Sequence, residues 1–210
     1  LSETALTNKP LRLAAYGVVA LAIAFELIVV WWMLHPQVPP DYRAYYIDKS
    51  TTCLNQPVSG DYVPGSTVSF LSAGNEQAKP LRVCGWTGPA GDGTHAVGQT
   101  SRLRFALAPD TSGPLTLALD LVAVEREGYP SQRVAISVNG TALQTVTAMA
   151  GVPLAVELVI PGDVVAAHPD SLELVLDYPD AIAMSPSDSN TRMRSIKLLS
   201  ARLASGTKQP

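Results

Sequence analysis

Chemistry-bearing residues are scarce in this chain. It has three histidines and two cysteines, and its 15 lysines and arginines form no basic run. Without such a run there is no electrostatic footprint for binding nucleic acid. The net charge of −3 is too small to name any partner. His35, His95 and His168 stand apart, with no second His or Cys at ligand spacing, so no metal site is expected. Gly-x-Ser-x-Gly elbows, phosphate-cradling glycine loops, dinucleotide fingerprints and zinc-protease helices are all missing. Asp92 and His95 are read as part of a solvated loop. Asp120, Glu125, Glu127, Glu157, Glu173 and Asp177 fall at the polar positions of alternating strands or in loops, where a sandwich keeps its solvated face. The expectation is a non-enzyme with no cofactor and no metal.

What the chain does have begins with LAAYGVVALAIAFELIVVWWML, residues 13–34. At about 1.5 Å per residue this helix reaches roughly 33 Å, enough for a hydrocarbon core of about 30 Å. Trp31 and Trp32 suit the headgroup layer of the bilayer, and His35, Pro36, Pro39 and Pro40 stop the helix. A secretory signal would have a shorter apolar region and a small-residue cleavage site, which WWMLHPQVPP lacks, so an uncleaved anchor is predicted. Lys9 and Arg12 precede the span, whereas Arg43 and Lys49 after it are offset by Asp41 and Asp48, which favours a cytoplasmic N-terminus. Cys53 and Cys84 both lie beyond the span. A disulfide between them suits an oxidising compartment and contributes about 3 to 4 kcal/mol by loop closure, two free buried thiols being the alternative.

Glu26 sits inside the span. Ala15, Ala22 and Glu26 lie near one helical stripe, and Gly17, Ala20 and Ala24 form a neighbouring strip of small residues that lets another helix approach closely. An unpaired carboxylate at this depth costs about 2.5 to 3.5 kcal/mol. Contact with partner helices is therefore expected, the alternatives being a carboxylate that reaches the outer interface or is simply protonated.

After residue 66 the pattern turns to period two. RLRFALA aligns Leu103, Phe105 and Leu107, and LTLALDL aligns Leu115, Leu117, Leu119 and Leu121. RVAISV, LAVELVI and LELVL do the same for residues 134–138, 154–160 and 172–176. Each run is flanked by turn residues, the mark of half-buried antiparallel strands. Asn139-Gly140 suits a type I′ hairpin, and PGDVVAAHPD has room for one short helical turn. The fold class is all-β, an antiparallel β-sandwich or jelly roll of about eight strands preceded by a single transmembrane helix. The expected organisation is an N-terminal segment 1–12, helix 13–34, extended linker 35–66, sandwich 67–204 and tail 205–210.

Two stretches carry a resemblance. GWTGPAGDGTHAVGQTSRLRFAL from Gly85 and SPSDSNTRMRSIKLLSARL from Ser185 resemble the opening and closing segments of jelly-roll domains attached to bacterial membrane glycosyltransferases and related surface-glycan proteins. The likeness covers roughly residues 65–204 and implies a carbohydrate-binding-module-like sandwich on the periplasmic side of a bacterial inner membrane. Trp86 and Arg192 match the family pattern. Ala90 stands where that pattern has a glutamate, His95 where it has a second aromatic, and Asn190 where it has an aspartate. Sugar recognition needs an aromatic platform and fixed polar groups, so Trp86, His95 and Arg192 are the candidate glycan or partner contacts.

Two functions are expected in this order. The first is a non-catalytic single-pass subunit that scaffolds a larger membrane complex, either glycan-assembly machinery or a respiratory or photosynthetic assembly. Its partners are other integral membrane proteins and the bilayer. The second is a membrane-tethered lectin-like module that itself binds a polysaccharide. An exposed Trp86 over an open groove favours the second.

Overall fold

The structure is a computed structural model that describes residues 8–35, 37–39, 42–47, 58–109, 111–185 and 193–205. It comprises two compact units, residues 1–39 and 40–210. The first is a helix, α1 (Asn8–Leu34), in which the 23 residues Arg12–Leu34 are long and apolar enough to cross a membrane. Its last turn is closed by His35, whose backbone N–H donates to the Trp31 carbonyl (3.0 Å) and whose ring stacks on Trp31 at 4.8 Å.

The second unit is built from alternating apolar positions. The thirteen strands among the described residues are β1 (Thr67–Ser69), β2 (Arg82–Cys84), β3 (Trp86–Ala90), β4 (Gly93–Ala96), β5 (Thr100–Ala106), β6 (Leu115–Ala123), β7 (Ser131–Val138), β8 (Thr141–Met149), β9 (Pro153–Ile160), β10 (Ser171–Asp177), β11 (Ile182–Ala183), β12 (Met193–Arg194) and β13 (Ile196–Ser205). Two short helices join them, α2 (Asn75–Ala78) and α3 (Gly162–Ala166). One sheet runs β3-β4-β13-β6-β9, with β1 beside β4 on the same edge of β13; the other runs β2-β5-β10-β7-β8. All pairings within both sheets are antiparallel. The antiparallel sandwich expected from the sequence is the observed fold.

Leu103 and Phe105, Leu117, Leu119 and Leu121, and Leu172, Leu174 and Leu176 are buried to within 1% of full burial. They interleave between the sheets, and each contributes about 1.5–3 kcal/mol by leaving water. The Asn139–Gly140 turn has φ of 48° and 80°, the left-handed pair that a type I′ hairpin requires. Asn139 also holds the hairpin down, its Oδ1 accepting the Glu173 backbone N–H at 2.8 Å.

Two parts of the architecture carry little periodicity. Strands β2, β3 and β4 read RVC, WTGPA and GTHA, rich in turn residues, and they are strands because they pair along sheet edges. Between β2 and β3, Gly85 (φ 78°) passes the chain from one sheet to the other. Residues 58–66, within the stretch expected as linker, are bonded into the sandwich. Gly60 bridges the Pro80 carbonyl and the Ala106 N–H (2.8 and 2.6 Å), and Gly65 N–H donates to Leu203 (2.8 Å). The Tyr62 hydroxyl accepts the Leu203 N–H at 2.8 Å, and its ring meets Phe105 edge-on at 5.2 Å.

The register separates two ends of the sandwich. Residues 58–66 dock at one, beside the finish of β5 and β13. At the other, β5 and β13 begin and β6 finishes, and there the loops 97–99, 124–130, 150–152 and 178–185 gather.

Candidate functional site

Trp86 and His95, the two candidate contacts within the described residues, lie on the hairpin that follows Gly85. Trp86 is half-buried and packs against the core, with Phe70 at 6.4 Å, and its indole N–H donates to the Arg102 carbonyl at 2.9 Å. Its polar edge is thus committed to the framework. His95 lies on the adjacent strand, its backbone N–H bonded to Thr87 Oγ1 (3.2 Å), so Trp86 and His95 share one hairpin. Beside His95, Asp92 is paired with Lys197 (2.9 Å) and lies 3.6 Å from His95 Nε2. The lysine occupies the place a cation would take. Partial burial lowers the His95 pKa below its usual 6.5, outweighing the pull of Asp92, and the Lys197 interaction lowers that of Asp92. No group of three His, Cys, Asp or Glu arranged to hold a metal occurs among the described residues.

Arg192 and Cys53 lie outside the described residues. Cys84 is half-buried at the end of β2, and no described cysteine is free. On α1, Ala15, Gly17, Ala20, Ala22, Ala24 and Glu26 are exposed, as are Trp31 and Trp32.

Two clefts offer more room. One, about 730 Å³, opens at the end where residues 58–66 dock; Asp61, Tyr62, Val63, Glu76, Pro80 and Leu107 are among its walls. Its aromatic is already used, because Tyr62 is held by Leu203 and Phe105.

The other cleft, about 590 Å³, lies at the opposite end in the β6–β7 loop and is lined by Glu125, Arg126, Glu127, Gly128, Tyr129, Pro130 and Ala150. The loop is pinned on several sides. Val124 N–H donates to Ser195 (2.8 Å), Tyr129 N–H to Arg126 (3.1 Å) and Ala150 N–H to Pro130 (2.9 Å), and the Arg126 guanidinium holds the Ala183 carbonyl. Beneath this end of the core, Ser195 Oγ donates to Gln132 Oε1 at 3.1 Å, and Tyr178 and Ser101 share a hydrogen bond of 2.5 Å. Burial pushes the Tyr178 phenol far above its usual pKa.

Against this fixed frame three side chains are uncommitted. Tyr129, 44% exposed, is the one exposed aromatic of the sandwich among the described residues. Neither its hydroxyl nor the carboxylates of Glu125 and Glu127 has a partner among the described residues. A hydrogen-bonded loop presenting an open ring beside free polar groups is an arrangement that can bind a ligand.

Glu125 and Glu127 are solvated loop charges, as the sequence predicts, whereas Tyr129 belongs to no periodic run. The usable signal was an aromatic inside an acidic Gly-Pro loop, VEREGYP.

No protein-family model matches the chain, and no curated protein does. Solved structures similar to it include the CBM36-1 domain of a multidomain xylanase from the hindgut metagenome of Trinervitermes trinervoides, with TM-score 0.42 and 13% identity over 68% of this chain and 98% of that one. The carbohydrate-binding module CBM36 in complex with calcium and xylotriose gives TM-score 0.39 and 9% identity over 66% and 99%. The EclA C-terminal domain, a sugar-binding protein, gives 0.36 and 10% over 51% and 67%. None of these three is a membrane glycosyltransferase, the context that the sequence resemblance implied.

Proposed function

We propose that this chain is a non-catalytic, membrane-tethered module whose β-sandwich binds a glycan in the β6–β7 loop cleft. The observation that supports this is the free Tyr129 ring flanked by the unpartnered carboxylates of Glu125 and Glu127 on a loop pinned by backbone hydrogen bonds. An apolar sugar face stacks on the ring, and hydroxyls donate to the carboxylates. Because the loop is already held in place, little ordering cost falls on binding. Helix α1 supplies the tether, and a Cys53–Cys84 bond ties the stretch after it to β2.

The test is a glycan array probed with the full-length protein in detergent, followed by calorimetry on the strongest hits. Tyr129→Ala weakens binding about tenfold through loss of the stacked ring, and Trp86→Phe leaves it within about twofold if the sandwich stays folded. Binding that survives Tyr129→Ala undiminished refutes the site.

The scaffold reading rests on a separate observation, an exposed carboxylate at Glu26 within the apolar span Arg12–Leu34. Under that reading partner helices cover the stripe of Ala15, Ala22 and Glu26, and Glu26→Leu releases proteins that co-purify with the wild type. If the same partners co-purify with Glu26→Leu, the carboxylate has no such role.

A further inference from the structure

Arg82, Arg102, Arg104, Arg126, Arg133 and Lys197 of the sandwich are bound, whereas the cleft carboxylates are free. On the outer face of one sheet, Arg102 and Arg104 both reach Glu173 (3.5 and 3.2 Å), and Arg133 forms a two-pronged pair with Asp180 (2.6 and 2.8 Å). On the other sheet, Lys197 is paired with Asp92 (2.9 Å). Arg82 is turned inward, bonding the Thr87 carbonyl and Asn75 Oδ1 (2.8 and 2.9 Å). At the loop cleft itself the one lining cation, Arg126, is half-buried and held by the Ala183 carbonyl.

Glu125 and Glu127 are exposed and have no such ties. Glu125 also lies against Gly151. A Cβ built on Gly151 would stand 2.0 Å from Glu125 Oε1, so the carboxylate lies close over the backbone beside Ala150, one wall of the cleft. A ligand entering there therefore meets the Tyr129 ring and, from Glu125, Glu127 and Arg126, two negative charges against one positive, so that the lining is net negative. A uronate or a phosphate-bearing polymer would be repelled. A neutral sugar donates its hydroxyls to the carboxylates, and an amino sugar adds an ammonium that both attract.

We infer that the glycan taken by this cleft is amine-bearing in preference to neutral, and neutral in preference to anionic. The inference rests on the glycan-binding reading above and adds the charge class of the ligand.

Three oligomers of equal length separate the possibilities: a β-1,4-glucosamine hexamer, its fully N-acetylated counterpart and an oligogalacturonate. Each is titrated calorimetrically into the full-length protein in detergent at low and at moderate salt. The glucosamine oligomer binds about five- to twentyfold tighter than the N-acetylated one at low salt, a margin that shrinks as salt rises. The galacturonate gives no measurable heat. Glu125→Gln combined with Glu127→Gln removes the margin between the glucosamine and the N-acetylated oligomer.

Equal binding of the first two oligomers overturns the preference for an amine. Tightest binding of the galacturonate, if still weakened by Tyr129→Ala, overturns the charge assignment and leaves the cleft as the glycan site. An amine margin that survives the double substitution places the attraction elsewhere on the surface and overturns the site. If none of the three binds, and the array is also blank, both readings fall.

Discussion

Two glycines with nearly the same backbone allow strain and space to be measured separately. Gly85 has φ 78° and Gly140 φ 80°, so alanine at either is forced into the left-handed region at about 1–2 kcal/mol. Their surroundings differ. Nothing lies within 4 Å of a Cβ at Gly140, whereas at Gly85 the added atom would stand 2.2 Å from the Thr100 carbonyl oxygen and 2.6 Å from Ser101 Cα. Those are backbone atoms at the start of β5, and they cannot yield as a flexible side chain does. To make room, the crossing between the two sheets has to move away from β5, an overpacking cost of about 1–3 kcal/mol on top of the strain. Gly140→Ala is thus expected to destabilise the 40–210 unit by about 1–2 kcal/mol and Gly85→Ala by about 2–5 kcal/mol. Urea unfolding followed by fluorescence reads the difference. With an m-value of about 2 kcal/mol/M, the midpoint falls by roughly 0.5–1 M in the first case and roughly 1–2.5 M in the second. Equal shifts for the two variants, at unchanged m-value, would refute the claim that close backbone approach dictates the glycine at position 85.

Other expectations follow from single contacts. His95 has a lowered pKa, so its neutral form is favoured by folding. Stability is complete above its ordinary 6.5 and is lost as pH falls from there through the folded value. His95→Asn flattens that part of the stability profile, and an NMR titration of His95 that matches a model peptide would rule the effect out. Asp180 is held down from 3.8 to about 2 by hydrogen bonds from Arg133. Its contribution is present above the ordinary value and fades as pH drops toward about 2, so Asp180→Asn removes a slope in that acid window. The proposed Cys53–Cys84 bond makes the oxidised protein inert to iodoacetamide until it is reduced, and Cys53→Ser lowers stability by about 3 to 4 kcal/mol. Alkylation of the unreduced folded protein would show the thiols to be free.

The extent to which the fold could be read from the sequence depended on which interaction held each part. Leu103, Leu117, Ile136, Leu158 and Leu174 announce their strands because a two-sided sheet imposes alternation on the sequence itself. Asn139-Gly140 announces its turn because few other dipeptides accept two positive φ angles. Strands β2 to β4 leave no such trace, since they are held by edge pairing that any backbone can make. The same is true of residues 58–66, whose docking uses main-chain groups and one tyrosine hydroxyl.

At the site, the resemblance implies a contact at Trp86, yet an indole cannot be read from sequence as buried or exposed, and this one gives its N–H to the Arg102 carbonyl. Tyr129 escaped notice for the same reason. Its isolation from the core depends on how the β6–β7 loop is pinned to residues 183 and 195, far along the chain.

The separation of the two ends also bears on reach. β13 runs ten residues from the loop end to the end where residues 58–66 dock. At about 3.3 Å per residue the strand is a strut of roughly 30 Å. Whatever occupies the Tyr129 cleft is carried at the far tip of that strut from the point where the chain joins the sandwich. The length of β13 sets the distance between the two ends of the sandwich, and a sandwich with shorter strands would bring them together.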